Sequence, residues 1–72
     1  MKKKYNEILR ELREEKNLGQ KEVADFLGIT QQVYSRYELG LRELPISLLI
    51  KLCEFYDVSA DYVLNIKDGY YK

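Results

Sequence analysis

A chain of 72 residues that is 46% apolar makes one small domain, near the lower size for a self-sustaining core and too apolar to stay disordered. Its 12 Lys/Arg balance 12 Asp/Glu, so net charge argues neither for nor against nucleic acid. One cysteine and no histidine exclude an internal disulfide, the common zinc sites and histidine-based triads, so no metal and no cofactor is expected.

The single Cys53 fits a reducing, cytoplasmic setting. No apolar run reaches the roughly 18–20 residues of a membrane span, and the basic start lacks the apolar core of a secretory signal. The sequence predicts five short helices and no strands. Helix 1 is expected from about Tyr5 to Lys16, because Tyr5, Ile8, Leu9 and Leu12 recur at i, i+3, i+4, i+7. Its other face mixes Glu7, Glu11 and Glu14 with Arg10, Arg13 and Lys16, which reads as a solvated charged face.

Helix 2 is expected over Gln20–Leu27. Gly19 stands at the N-cap, Glu22 supplies half of a capping box, and Leu18 with Val23 makes a hydrophobic staple. Gly28 is the stop. Helix 3 is expected from Gln31 to about Leu39, with Thr30 as cap, an Ile29–Tyr34 staple and Gly40 as stop. Helix 4 runs from Pro45 or Ile46 to Tyr56. Ile46, Leu49, Ile50, Cys53 and Tyr56 form one apolar face, and Leu48, Leu52 and Phe55 a second, so it is either central or meets a partner. Helix 5 runs from Ala60 to about Asn65, with Ser59 as cap and a Val58–Val63 staple. Residues 1–66 form the domain and 67–72 a short flexible tail.

Only "GIT" separates helices 2 and 3. A glycine-led turn this short makes a helix-turn-helix, and Ala24 lets helix 3 come close. At 100° per residue, Val33, Tyr34 and Tyr37 gather on one side of helix 3. Gln31, Gln32, Ser35 and Arg36 gather on the other, at the end that enters a DNA major groove in such units. Glutamine suits adenine N6/N7, arginine suits guanine O6/N7, and serine can donate to a phosphate.

"LGQKEVADFLGITQQVYSRYELGLRELP" with "LLIKLCEFYDVSADYVL" resembles the Cro/lambda-repressor-type helix-turn-helix family, also called the xenobiotic-response-element family, over about residues 5–65. The resemblance implies a compact all-α five-helix DNA-binding domain acting as a dimer. By position it implies base contacts from Gln31, Gln32, Val33 and Arg36, and phosphate contacts from Gln20, Ser35 and Arg42. Gln20 is also expected to brace Gln31. The family pattern further implies an internal salt bridge between Arg13 and Glu38. Two departures stand out: Gly19 replaces the usual Ser/Thr, and Leu41 replaces a frequent Lys. Both remove polar contacts near the DNA backbone.

The expected function is a sequence-specific transcriptional regulator, a repressor, with no effector domain. It binds double-stranded DNA as a homodimer through helix 5 and the end of helix 4, and has no membrane partner. The alternative is a protein-interaction or antitoxin-like module on the same fold, motivated by the excess apolar surface of helix 4. No nucleophile–base pair or phosphate-cradling glycine loop points to an enzyme.

Overall fold

The computed structural model describes residues 3–65. It is all-α, with α1 Tyr5–Glu15, α2 Gln20–Leu27, α3 Gln31–Glu38, α4 Ile46–Tyr56 and α5 Ala60–Leu64. The tail expected at 67–72 lies outside the described residues. No helix among them is long and apolar enough to cross a membrane.

The helix starts follow their local chemistry. Thr30 Oγ1 accepts from Val33 N at 3.2 Å, and Ser59 Oγ accepts from Tyr62 N at 3.1 Å. Gly19 has no side chain to offer, so Glu22 Oε1 reaches back to Gly19 N at 2.8 Å. Glu7 does the same for Lys4 N. Leu18, Ile29 and Val58, the outer members of the three staples, are partly buried against the core.

The helix ends share a second device. A residue in the left-handed region follows or ends each helix: Asn17, Gly28, Gly40, Asp57 and Asn65. At four of them the next amide folds back on the helix: Leu18 N to Arg13 O, Ile29 N to Ala24 O, Leu41 N to Arg36 O, and Val58 N to Cys53 O, all between 2.9 and 3.1 Å. This satisfies carbonyls that a short helix leaves open.

The core joins Ile8, Leu9 and Leu12 of α1 to Val23, Ala24 and Leu27 of α2, Tyr34 of α3, Leu49, Leu52, Cys53 and Tyr56 of α4, and Val63 of α5. Here α4 differs from its sequence-based description. Ile46 and Ile50 are 73% and 52% exposed, so the two proposed faces reduce to one arc, 49, 52, 53 and 56, with Leu48 half-buried at its edge. A helix lying on one small core can bury only about a third of its circumference. Burial pushes the Cys53 thiol up, with help from Glu54, so it stays protonated.

A polar cluster holds the end of α3. Glu38 is 7% exposed. Its Oε2 accepts from Arg13 Nε at 2.8 Å and from Tyr34 Oη at 2.7 Å. Its Oε1 accepts from Arg13 Nη2 and from Gln20 Nε2, each at 2.9 Å. Asn6 Nδ2 donates to the Glu38 carbonyl at 3.0 Å. Arg13 also donates through Nη1 to Leu18 O at 2.7 Å, which ties down the α1–α2 connection. Tyr5 Oη accepts from Leu44 N at 3.1 Å and fixes the segment after α3 to α1.

Arg13 therefore does not belong to the solvated face assigned to it by periodicity. It leaves that face and goes inward, with Asn6 seven residues earlier on the same flank of α1. The remaining charges do lie on the surface: Arg10 pairs with Glu14 at 3.1 Å, and Lys3 pairs with Glu11.

Burial works to raise the Glu38 carboxyl. Hydrogen bonds from Arg13, Gln20 and Tyr34, with the Arg13 charge, more than offset it, so the group is held below the usual carboxylate range. Burial and the bond to Glu38 push the Tyr34 hydroxyl well above its ordinary value. The cluster thus carries one carboxylate and one guanidinium at neutral pH.

Four outcomes are expected from this geometry. In urea denaturation, Gly28→Ala is expected to cost about 1–2 kcal/mol for its left-handed backbone. Gly40→Ala is expected to cost more, because its φ of +78° is joined by an Asn6 Nδ2 that would lie 3.2 Å from the new Cβ. Glu38→Ala leaves a largely buried guanidinium with only Glu14, at 4.0 Å, as an acidic neighbour, and is expected to cost roughly 3–5 kcal/mol, against less than about 0.5 kcal/mol for exposed Glu43→Ala. Equal thermal shifts for these two variants would contradict the clamp. Finally, a folded-state pKa below the ordinary 4.5 means that the contribution of Glu38 is whole above that value. It is lost as pH falls through the lower, folded one. Melting followed by circular dichroism from pH 7 to pH 3 should show a steeper loss for the wild type than for Glu38→Gln.

Candidate nucleic-acid interface

Helix α3 has eight residues, about two turns, so each side chain has a fixed place relative to the core. Tyr34 and Glu38 point inward and are buried; Val33, Ser35 and Tyr37 are half-buried. Gln31, Gln32 and Arg36 are exposed. Their side chains make no hydrogen bond to other described residues, so the donors and acceptors of all three are open to an incoming ligand. They occupy one arc of α3, beginning at its first residue.

Val33 sits at the border between this arc and the core, where a methyl contact is sterically open to it. Ser35 is on the arc but partly covered. Arg42 is exposed in the segment after α3. That segment wraps over the end of the helix through Leu41 N to Arg36 O at 2.9 Å.

One part of the expectation for Gln20, its bracing of Gln31, is corrected by the structure. Its amide nitrogen is joined to Glu38, and the structure gives it no bond to Gln31. Three further contributors were not identified from the sequence: Asn6, the Tyr34 hydroxyl and the Tyr5 hydroxyl. A flank position shared by Asn6 and Arg13 at i, i+7 was the available signal for the first. For the hydroxyls no local signal exists, since a buried tyrosine in a helix reads only as apolar.

The two helix starts differ electrostatically. The first turn of α3 holds no acidic side chain, so its free amides and partial positive charge face outward unopposed. In α2 the Glu22 carboxylate occupies the first turn and offsets that field. An anion is therefore better accommodated at α3 than at α2. The exposed arc combines bidentate amides, a guanidinium and open helix amides, which is the donor set that base edges and phosphates accept.

Comparisons with known proteins bear on the family of this fold. A family model described as helix-turn-helix matches residues 9–63, which spans α2, α3 and α4 whole. The uncharacterized HTH-type transcriptional regulator YqaE of Bacillus subtilis (strain 168) is 45% identical over 61 residues, covering 85% of this chain and 53% of that protein. The HTH-type transcriptional regulator AnsR of the same organism is 38% identical over 57 residues, 79% of this chain and 49% of AnsR. The cryptic phage CTXphi transcriptional repressor RstR of Vibrio cholerae is 35% identical over 54 residues, 75% of this chain and 49% of RstR. The chain thus spans about half the length of the curated relatives it matches. No solved structure matches it significantly. On the extent of the family match and the five-helix fold around α2 and α3, the chain belongs to the Cro/C1-type helix-turn-helix family.

Proposed function

We propose that this chain is the DNA-binding unit of a transcriptional regulator, with residues 1–66 as the binding domain. Helix α3 reads the major groove through Gln31, Gln32, Val33 and Arg36. Ser35, Arg42 and the open amides of α3 meet phosphates. The observation that carries this reading is the exposed, unengaged arc Gln31–Gln32–Arg36 on a helix whose far end is locked to the core.

The unit acts as a homodimer on a palindromic operator, through α5 and the end of α4, where Tyr62, Leu64 and Phe55 are exposed apolar side chains. Repression by promoter occupancy is the favoured mode, in keeping with the relative RstR, a transcriptional repressor by name. One observation favours a protein-contact role instead. Phe26 of α2 and Phe55 of α4 stack with ring centres 4.4 Å apart while 47% and 38% exposed, an unusual place for two phenylalanines on a free surface.

Selection from a random duplex pool decides between them. A regulator enriches a two-fold-symmetric site with half-sites about 34 Å apart, and its affinity for random duplex falls steeply with salt. Gln32→Ala and Arg36→Ala are then expected to relax discrimination at separate base positions, by roughly 1–3 kcal/mol for each bidentate pair lost. A chain that binds no duplex even at low salt would favour the protein-contact role.

A further inference from the structure

We propose that the Tyr37 hydroxyl donates a hydrogen bond to a DNA phosphate, on the wall of the major groove opposite the one met by Ser35. The role rests on the DNA-reading function proposed above and adds a backbone contact to it. Periodicity groups Tyr37 with Tyr34 on the anchoring side of α3, but the structure separates the two. Tyr34 is 2% exposed and its hydroxyl is bonded to Glu38. The Tyr5 hydroxyl is also engaged inside the fold, by Leu44 N. Tyr37 is half-buried. Its hydroxyl makes no hydrogen bond to other described residues and lies at the surface, unlike the buried hydroxyl of Tyr56.

Position on α3 decides what that hydroxyl can reach. Gln32 and Arg36, one turn apart, mark the centre of the exposed arc. Ser35 and Tyr37 project from the two flanks, about 160° apart at 100° per residue. A helix with its side chains is about 10–12 Å across, and the major groove is about 12 Å wide. A helix that fills the groove turns its outer arc to the base edges and its flanks to the two phosphate walls. A tyrosine on a flank packs its ring on the protein and carries its polar tip outward. Val33, one turn earlier on the same flank, is half-buried and has no polar side-chain atom. Tyr37 is therefore the flank donor of α3 for that wall.

A hydroxyl differs from a lysine or arginine at such a contact. It neutralises no phosphate and releases no counterion, so it adds affinity without adding salt dependence. It also carries no base information, so it strengthens all sequences alike.

The test measures binding of the wild type, Tyr37→Phe and Ser35→Ala to the duplex that random selection enriches and to random duplex, across salt concentrations. A second set of duplexes carries a neutral methylphosphonate at one backbone position at a time. Tyr37→Phe removes one oxygen and keeps the ring, and its thermal melt, followed by circular dichroism, confirms that the fold is kept. Its affinity for both duplexes should fall by the same factor, roughly three- to tenfold. Base preference and salt slope should stay, in contrast to the change of about 0.9 in slope that loss of a charged phosphate contact gives. One methylphosphonate should abolish the difference between the wild type and Tyr37→Phe, on the opposite wall from the one that does so for Ser35→Ala. Equal affinity of Tyr37→Phe and the wild type overturns the role and leaves the DNA-reading function in place. So does preference lost at a single base, or a difference that survives every methylphosphonate or vanishes only on the Ser35 wall. If the wild type binds no duplex at low salt, the DNA-reading function fails and the Tyr37 role falls with it.

Discussion

A carboxylate buried at the end of α3 must be surrounded by donors, and the architecture around the candidate reading face follows from that requirement. An ionised group taken from water loses several kcal/mol of solvation unless its lone pairs are met. Each oxygen of Glu38 meets two donors, drawn from α1, α2 and α3. Three separate helices must therefore come to one point, at fixed distances, before the charge is accommodated. Asn6 adds a bond to the backbone of the same residue. That contact also explains the close approach at Gly40, where Asn6 leaves little room for a side chain.

The opposite end of α3 has the reverse character. Its first turn is exposed, capped by Thr30 and free of acidic groups, while its far end is locked. A short helix held this way presents the side chains of its first turns without further ordering cost. The balanced overall charge complements this. On the proposed function, a chain with little net attraction to a polyanion leans on the local amides and on Gln31, Gln32 and Arg36, which gives base identity a larger share of the affinity.

How much of this could be read from the chain varies by the range of the interaction. Caps, staples and glycine stops act within five residues, and they placed α2, α3 and α5 to within a residue or so. The left-handed ends at Asn17, Asp57 and Asn65 use residues equally common in open turns, so they carried no distinctive signal. Helix α4 is apolar nearly all round, and periodicity cannot say which arc finds the core; Ile46 and Ile50 share an apolar face with Leu49, Cys53 and Tyr56 in the sequence but lie outward. The polar cluster is the least local feature. Spacing put Arg13 on a charged face, and only the family resemblance paired it with Glu38, 25 residues away. The partners Gln20 and Asn6 lie 18 and 32 residues from Glu38, and the only local hint was the flank that Asn6 shares with Arg13. The exposed arc of α3 was legible because its residue types, Gln and Arg without Glu, are unlike ordinary solvated filler.

Stability and registration are supplied by different groups in this domain. Helices of five to eleven residues are too short to persist alone in water, so the apolar core of Val23, Ala24, Leu52 and Val63, all fully buried, must hold them together. Apolar contact is non-directional, however, and tolerates small rotations of one helix on another. The bidentate guanidinium–carboxylate pair and its neighbouring amide do not, because their hydrogen bonds weaken steeply off axis. An all-apolar replacement of the cluster could match or exceed its stability and would still release the angle of α3. On the proposed function, α3 needs that angle fixed more than it needs a deeper energy minimum, which accounts for a buried ion pair in a chain with so little core to spare.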